Sequence, residues 1–172
     1  MDNYGLEGSG VQNNNLDRLY IGNRSGGRNR AYVKSATMPT IPEGATIFRA
    51  TMSLQLTSGA STAYTANAYK VTGGDWASDT ITWANQPAAG ISHTSNISHN
   101  NLTGYTFSCL NAIHAWYNGS PTGQHDNYGI MLRYNDETIS DYNAVYSADY
   151  SHLGVAIPMA RIRLSDMLVT LF

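Results

Sequence analysis

The sequence predicts an all-β protein, a sandwich or barrel of short strands that carries one short helix. Three observations indicate this class. Apolar and polar residues alternate along several segments, which is the pattern of strands with one buried face. Gly, Asn, Ser and Pro separate these segments, as expected for turns between antiparallel strands. Charged residues make up only 13% of the chain, yet the hydrophobic fraction of 42% is large enough for a folded core.

Six segments are predicted to be strands, and the clearest of them is 48–56. There Phe48 and every second residue after it are apolar, while the residues between them, beginning with Arg49, are polar. Strict alternation predicts one row facing the core and one row facing solvent. The predicted inward row is Phe48, Ala50, Met52, Leu54 and Leu56. The predicted strands are 19–22, 31–36, 48–56, 67–71, 130–134 and 160–164.

One helix is predicted to begin after Ser108, whose hydroxyl is a good N-cap. Leu110, Ile113 and Trp116 follow at helical spacing and predict an apolar stripe that faces the core. Gly119 stands where the left-handed residue after a helix belongs. These signals predict a helix of about ten residues.

The composition disfavours several classes of function. The formal net charge is −2, which gives no electrostatic reason to expect a nucleic-acid partner. No run of about 18 apolar residues occurs, so membrane insertion is not expected. The single Cys109 cannot form an internal disulfide or a cysteine-based zinc site. The nucleophile elbow, the P-loop and the His-Glu-x-x-His motif are absent, so we expect a protein that is not an enzyme.

Three groups of motifs together resemble the bacterial DNRLRE domain. The most specific runs from Trp76 to Trp83 and is followed by Asn-Gln-Pro at 85–87. A second is Ala-Tyr-Val-Lys at 31–34, followed by a Pro-Glu-Gly-Ala turn and the strand that ends at Leu56. The third group is Trp-Tyr-Asn-Gly at 116–119, Asn-Tyr-Gly-Ile-Met-Leu at 127–132, Tyr-Ser-Ala-Asp at 146–149 and the final strand from Pro158.

The resemblance implies a jelly-roll module, so the fold class that we expect is an all-β, jelly-roll-like β-sandwich with one short α-helix. It also implies a non-catalytic module of secreted or surface proteins of bacteria, similar to carbohydrate-binding modules, and some relatives bind acidic polysaccharide. We expect residues 1–172 to form a single module excised from a longer exported chain, with neighbouring domains as further partners. Its core is predicted to span 18–164, and 165–172 is predicted to be a tail or linker.

The cations on the predicted strands are the candidate ligand-binding residues. On the predicted alternation they point away from the core, while many Asp and Glu residues lie in turns. A basic sheet face of this kind favours an acidic polysaccharide, because arginine pairs bidentately with carboxylates. Tyrosine rings stack on sugars, and Tyr32 is predicted to share the outer face with Lys34. The candidate binding residues are Tyr32, Lys34, Arg49, Tyr69, Lys70, Arg133, Arg161 and Arg163.

These assignments have structural alternatives. Outward cations also keep strands soluble and protect sheet edges. Trp76 and Trp83 could stack on a pyranose ring, but the favoured role for both is to fill the sandwich core or to attach a loop to it. The same sandwich could serve as a structural spacer in a bacterial surface adhesin or repeat-containing protein, with no glycan ligand. A polysaccharide lyase or hydrolase is a third alternative, because many Asp and Glu pairs could reach the separation that glycoside hydrolysis needs.

Calcium is the one candidate cofactor. Asp136, Glu137 and Asp141 supply carboxylate oxygens, which are the ligands that calcium prefers. The ordered ligand spacing of an EF-hand is absent. The sequence therefore predicts no more than a structural ion in this loop.

Overall fold

The computed structural model describes residues 2–6, 17–24, 26–35, 38–42, 45–57, 64–77, 79–92, 97–98, 104–117, 127–147 and 160–169. These ranges contain mostly β-strands and one short helix, which confirms the predicted all-β, jelly-roll-like sandwich. None of the helices in these ranges is long and apolar enough to cross a membrane. The elements are β1 (Asp2–Leu6), β2 (Arg18–Arg24), β3 (Gly27–Val33), β4 (Ala45–Gln55), β5 (Thr65–Val71), β6 (Ala89–Ser92), β7 (Ile97–Ser98), β8 (Gly104–Ser108), α1 (Leu110–Tyr117), β9 (Ile130–Tyr134), β10 (Tyr142–Tyr146) and β11 (Ala160–Val169).

The strands form two antiparallel sheets. The large sheet has the order β10-β2-β3-β9-β5-β6, with β1 paired to β3 and β7 paired to β5. The small sheet has the order β11-β4-β8. The end of β4 reaches β10, because Leu56 forms a β-bridge with Val145 and Thr57 N donates to Ala144 O at 2.9 Å. The two sheets are thereby joined at one edge and curl around a shared core.

The core lies between the two sheets. Ala31, Leu132 and Ala68 are register partners across β3, β9 and β5, and all three are buried. They share one hydrophobic cluster with the inward residues of β4. Fully burying a side chain the size of leucine or methionine contributes about 1.5–3 kcal/mol. The members of the predicted inward row that are buried are Ala50, Met52, Leu54 and Leu56.

The helix α1 closes one end of this core. Leu110 N donates to Ser108 Oγ at 3.5 Å, a long bond that agrees with the predicted N-cap. Ile113 and Trp116 are buried in the central cluster, so the predicted apolar stripe is confirmed for these two residues. The predicted C-terminal residue Gly119 lies outside the described residues.

Phe48 is a correction to the predicted inward row. Its side chain is 53% exposed, while its neighbour Ile47 is buried. The pairing of β4 with β11 continues without a shift here, so a register slip is not the cause. Instead β8 ends opposite Thr51, and α1 then packs beside the first half of β4, where His114 Nε2 lies 2.8 Å from Ile47 O. The helix buries Ile47, and the alternation of the second half of β4 does not extend to Phe48.

Two predicted boundaries also differ from the structure. The strand predicted at 31–36 begins four residues earlier, at Gly27, and ends at Val33. Beyond Val33 the backbone has other partners, since Ser35 O accepts a hydrogen bond from Asn127 Nδ2 at 3.2 Å. The strand predicted at 160–164 continues to Val169. Part of the predicted tail therefore extends the small sheet, where Val169 pairs with Ala45.

Part of the outer face of the large sheet is covered by residues 72–77 and 79–88, here called the covering loop. Trp76 Nε1 donates to Tyr128 O at 2.7 Å, and the Trp76 ring meets the Tyr32 ring edge-on at 5.7 Å. The prediction that Trp76 fills a core is confirmed, but this core lies outside the sandwich. It is a second hydrophobic cluster made of Tyr32, Val71, Trp76, Ile81 and Met131.

Candidate functional site

The register of three neighbouring strands places a row of charged and aromatic side chains on the outer face of the large sheet. Met131 pairs with Tyr32 on one side and with Tyr69 on the other, so these three residues share that face. Arg133 lies two residues after Met131 and therefore points the same way. Arg30 lies two residues before Tyr32 on β3 and does the same. The outer face beside the covering loop is consequently rich in arginine.

Two of these arginines hold the same carboxylate. Arg30 Nε donates to Glu137 Oε1 and Arg30 Nη2 donates to Oε2, both at 2.8 Å, which is a bidentate pair. Arg133 Nη1 donates to Glu137 Oε2 at 2.6 Å. Burial of Glu137 acts to raise its pKa, but the hydrogen bonds and charges of Arg30 and Arg133 outweigh this, so the pKa is lowered. Glu137 thus stays ionised and fixes both guanidinium groups.

Aromatic rings also contact the guanidinium groups on this side of the sheet. Arg30 Cζ lies 4.7 Å from the centre of the Trp83 ring, and Arg28 Cζ lies 5.2 Å from it. Arg133 Cζ lies 4.7 Å from the centre of the Tyr69 ring. These are cation–π distances. The surface formed by Arg28, Arg30, Arg133, Glu137, Tyr69 and Trp83 is called the arginine face below.

Gln86 attaches the covering loop to the arginine face. Its Oε1 accepts hydrogen bonds from Tyr32 Oη at 2.8 Å and from Arg30 Nη1 at 3.2 Å. Its Nε2 donates to Trp83 O at 2.8 Å. One side chain therefore positions the backbone of Trp83 and one edge of Arg30 together. Trp83 is half-buried and belongs to neither hydrophobic cluster of the described residues. Of its two favoured roles, filling the core is therefore not observed, while its contacts with Arg28 and Arg30 of β3 attach the covering loop to the sheet.

Tyr32 is a correction to the predicted stacking residues. It does lie on the outer face, but its exposed fraction is 0% because the covering loop packs on it. Burial also raises the pKa of its phenol to about 12. A sugar ring cannot reach this side chain. Tyr69, which the sequence also proposed, is half-buried beside Arg133 and keeps part of its ring at the surface.

Lys34, Lys70 and Arg49 do not join the arginine face. Lys34 Nζ forms an ion pair with Asp75 of the covering loop, and its hydrogen bond is the main cause of the lowered pKa of that carboxyl. Lys70 pairs with Ile130, and alternation places it on the inner side of the large sheet, at its end. Arg49 is exposed on the small sheet. The backbones of Arg161 and Arg163 pair with β4 in the small sheet, while their side chains lie outside the described part.

The three carboxylates proposed for calcium have separate partners. Glu137 is held by two arginines, as described above. Asp136 Oδ1 accepts hydrogen bonds from Thr138 N at 2.9 Å and Thr138 Oγ1 at 2.6 Å. Asp141 Oδ1 accepts one from Tyr142 N at 2.8 Å. Among the described residues no group of three or more His, Cys, Asp or Glu is placed to hold a metal ion. Calcium binding stays a prediction, which a comparison of melting temperatures with calcium and with chelator would test.

The sequence contained a signal for the residues that were missed. Arg28, Arg30 and Tyr32 occupy every second position of β3, so alternation from Gly27 onward would have placed both arginines outward. Gln86 had no comparable signal, because its role depends on how the covering loop folds back. Stacking on a sugar was considered for Trp83, but a role in filling the core or in attaching a loop to it was favoured.

The fold and this surface define a class of protein: a β-sandwich module that displays arginine and aromatic side chains on one sheet face. The model of carbohydrate-binding module family 96 matches residues 2–122 of the 172. This is well over half of the chain, so the protein belongs to carbohydrate-binding module family 96 and has carbohydrate as its partner. Modules of such families are generally non-catalytic. No curated protein matches the chain. The DNRLRE name and a bacterial source stay predictions.

Proposed function

We propose that this module binds an acidic polysaccharide through the arginine face, without catalysis, as part of a longer exported protein that acts outside the cell or at its surface. The family supports a carbohydrate ligand. The acidic character rests on one observation. Two guanidinium groups, those of Arg30 and Arg133, share the carboxylate of Glu137, and Arg28 adds a third cation beside Trp83. The residues that define this face thus include three cations and one anion, although the whole chain carries −2.

The chemistry of the arginine face fits a uronate polymer. Each uronate residue offers a planar carboxylate, which guanidinium groups bind through paired N–H donors. Each also offers an apolar C–H face that can lie on an aromatic ring such as Trp83 or Tyr69. Alternating rings and cations along the face would contact both features of successive sugars.

The arginine face is also held in place before any ligand arrives. Glu137, Gln86 and the two rings restrain Arg30 and Arg133 through the contacts given above. Side chains that are already ordered lose less conformational entropy on binding, about 0.5–1.5 kcal/mol less for each long side chain. The ordered side chains of the arginine face can therefore bind a flexible polymer at a smaller entropic cost.

Affinity gel electrophoresis tests the proposal. Polygalacturonate or alginate in a native gel is expected to retard the wild-type chain, and added NaCl should weaken the retardation because the contacts are ionic. A neutral β-glucan is expected to retard it little. Arg28→Ala removes a cation of the arginine face without leaving Glu137 unpaired, and it should reduce the retardation by uronate.

Arg49→Ala is the matched control, since it removes the same charge from the exposed side of the small sheet. It should leave retardation unchanged. An equal loss in both variants would show that bulk charge, and not the arginine face, retains the protein. Retardation by no acidic or neutral glycan would instead favour the structural spacer.

A further inference from the structure

A second cluster of one arginine and two aromatic rings lies at the β2–β3 hairpin. Arg24, the last residue of β2, has its Cζ 4.0 Å from the centre of the Tyr20 ring and 5.9 Å from the centre of the Tyr142 ring. The two tyrosine rings meet edge-on, with their centres 5.7 Å apart. These three residues are called the tyrosine clamp below.

The clamp holds the Arg24 guanidinium without using its N–H donors. The contact with Tyr20, at 4.0 Å from Cζ to the ring centre, is a cation–π contact. The five N–H donors of an arginine are available for hydrogen bonds beside such a contact. Within the described residues, no carboxylate and no other hydrogen-bond acceptor engages Arg24. Arg30 and Arg133 differ, because both donate to Glu137.

The clamp adjoins the arginine face at the β2–β3 hairpin but shares no residue with it. Asn23 pairs with Arg28 and Arg24 pairs with Gly27, so Arg24 and Arg28 lie at neighbouring positions of the two paired strands. Arg28 contacts the Trp83 ring, whereas Arg24 contacts the Tyr20 and Tyr142 rings. The two arginines therefore belong to separate sets of aromatic rings.

We propose that the tyrosine clamp is a second, independent site for a sugar carboxylate. Its ligand is an acidic residue of a polysaccharide, so the inference rests on the proposed function for the polymer, but not on the arginine face. Arg24 would bind the carboxylate through its paired N–H edge, while Tyr20 keeps the guanidinium oriented. One hairpin would then offer two contacts to acidic polymer, and the two sites together would raise the avidity for long chains.

An NMR titration of the full chain with hexagalacturonate separates the two sites. The Arg24 Nε–H signal reports on the clamp, and the Trp83 indole N–H reports on the arginine face. Both signals are expected to shift to saturation. Cellohexaose, which carries no carboxylate, should not shift the Arg24 signal, and an equal shift with both oligomers would overturn a carboxylate site.

Arg24→Lys tests the clamp while it keeps the charge and the aliphatic stem. A lysine lacks the planar donor edge. Binding read from the Tyr142 amide should therefore weaken about tenfold, as expected for the loss of one charged hydrogen-bond pair, while the Trp83 signal is unchanged. Arg49→Lys is the matched control and should alter neither signal.

The outcomes distinguish the two proposals. Shifts at Trp83 with a silent clamp would overturn the second site and leave the proposed function intact. Shifts at the clamp with Trp83 unaffected would overturn the arginine face and support the second site. Silence at both, with hexagalacturonate in large excess, would overturn both.

Discussion

A carboxylate held between two arginines behaves differently from one that faces solvent. Burial disfavours the charged form of Glu137, but Arg30 and Arg133 favour it more strongly, and its pKa falls below the usual 4.5. The charged form is therefore the one that stabilises the fold. Calcium could use this carboxylate only by breaking its bonds to both guanidinium groups.

Glu137→Gln is expected to lower the free energy of unfolding at neutral pH by about 2 kcal/mol, since two arginines lose a charged partner in a half-buried site. The pKa of Glu137 is lowered in the folded state, so its contribution is present above pH 4.5 and is lost as pH falls through the folded value. Urea unfolding at a series of pH values should show the difference between wild type and variant shrinking below pH 4.5.

Asp75→Asn is the control for this prediction. Asp75 also accepts from a cation, Lys34, but its side chain is 66% exposed. An exposed pair contributes little because water screens it. A loss as large as that of Glu137→Gln would contradict the view that burial gives the Glu137 cluster its strength.

At the scale of single elements, the backbone conformation and close packing of β2 require a glycine at position 22. Gly22 has a φ of +107°, and a Cβ placed there would lie 2.3 Å from Tyr134 Cε2 and 2.5 Å from Asp141 O. Gly22→Ala should lower the free energy of unfolding by at least about 3 kcal/mol, because strain and overlap add. Thermal and urea unfolding would measure this change.

Gly26→Ala separates these two causes. Gly26 has a φ of +82°, but nothing lies within 4 Å of its Cβ position. Only the backbone strain applies, and we expect a loss of about 1 kcal/mol. Equal losses in the two variants would show that the overlap with Tyr134 is relieved by movement.

The covering loop depends on Gln86. Gln86→Leu removes the acceptor shared by Tyr32 and Arg30 and the donor to Trp83 O. A buried hydroxyl without a partner costs about 1–3 kcal/mol, so the free energy of unfolding should fall by that amount. Retardation by uronate should fall as well, because Trp83 is no longer fixed beside Arg30. Gln55→Leu, at an exposed position of β4, should change neither property.

These elements show which parts of the molecule the sequence could predict. Alternation identifies the residues that share a side of a strand, and it placed Met52, Leu54 and Arg133 correctly. It does not reveal what covers that side. Tyr32 is outward and yet buried because the covering loop packs on it, and Ile47 is buried because α1 lies beside it. Long-range packing of this kind depends on the whole fold and leaves no local pattern.

The candidate site was likewise predictable only in part. Arg133 and Tyr69 were predicted, and their strands are neighbours in the large sheet. Arg49 and Arg163 were predicted to belong to the same face, but the structure places their strands in the small sheet. Strand alternation carries no information on which strands share a sheet. The predicted cations therefore fall into two groups on two sheets, and among the described residues it is the arginines of the large sheet that contact Trp83 and Tyr69.

At the scale of the whole molecule, the centre of the large sheet is buried on both sides, at Ala31 on the inner side and at Tyr32 on the outer side. Its inner side meets the small sheet, where Asn143 Nδ2 of β10 donates to Tyr105 Oη of β8 and so links the two sheets. Its outer side meets the covering loop at Tyr32. Both layers thus contain buried phenols, and Tyr134 is a further one in the inner layer. Tyr105, with an exposed fraction of 2%, represents the inner layer here, and Tyr32, with 0%, represents the outer layer.

These two phenols predict how the protein unfolds in alkali. Burial raises the pKa of Tyr32 and that of Tyr105 from 10.0 to about 12, with hydrogen bonds and nearby arginines opposing the shift only in part. A raised folded pKa means that the stabilisation is fully present below pH 10 and is lost as pH rises toward 12. Each phenol should contribute roughly 2–3 kcal/mol to that loss.

Urea unfolding between pH 9 and pH 12, followed together with tyrosinate absorbance, measures this loss. Tyr105→Phe and Tyr32→Phe each remove one ionisable group, so each variant should lose less stability across this range than the wild type. Because the two rings lie in different layers, the double variant should combine both effects additively. If the covering loop instead opened before the sandwich unfolds, Tyr32 would ionise first with little change in global stability, and Tyr32→Phe would leave the alkaline loss unchanged. That result would contradict the picture of two layers that unfold as one unit.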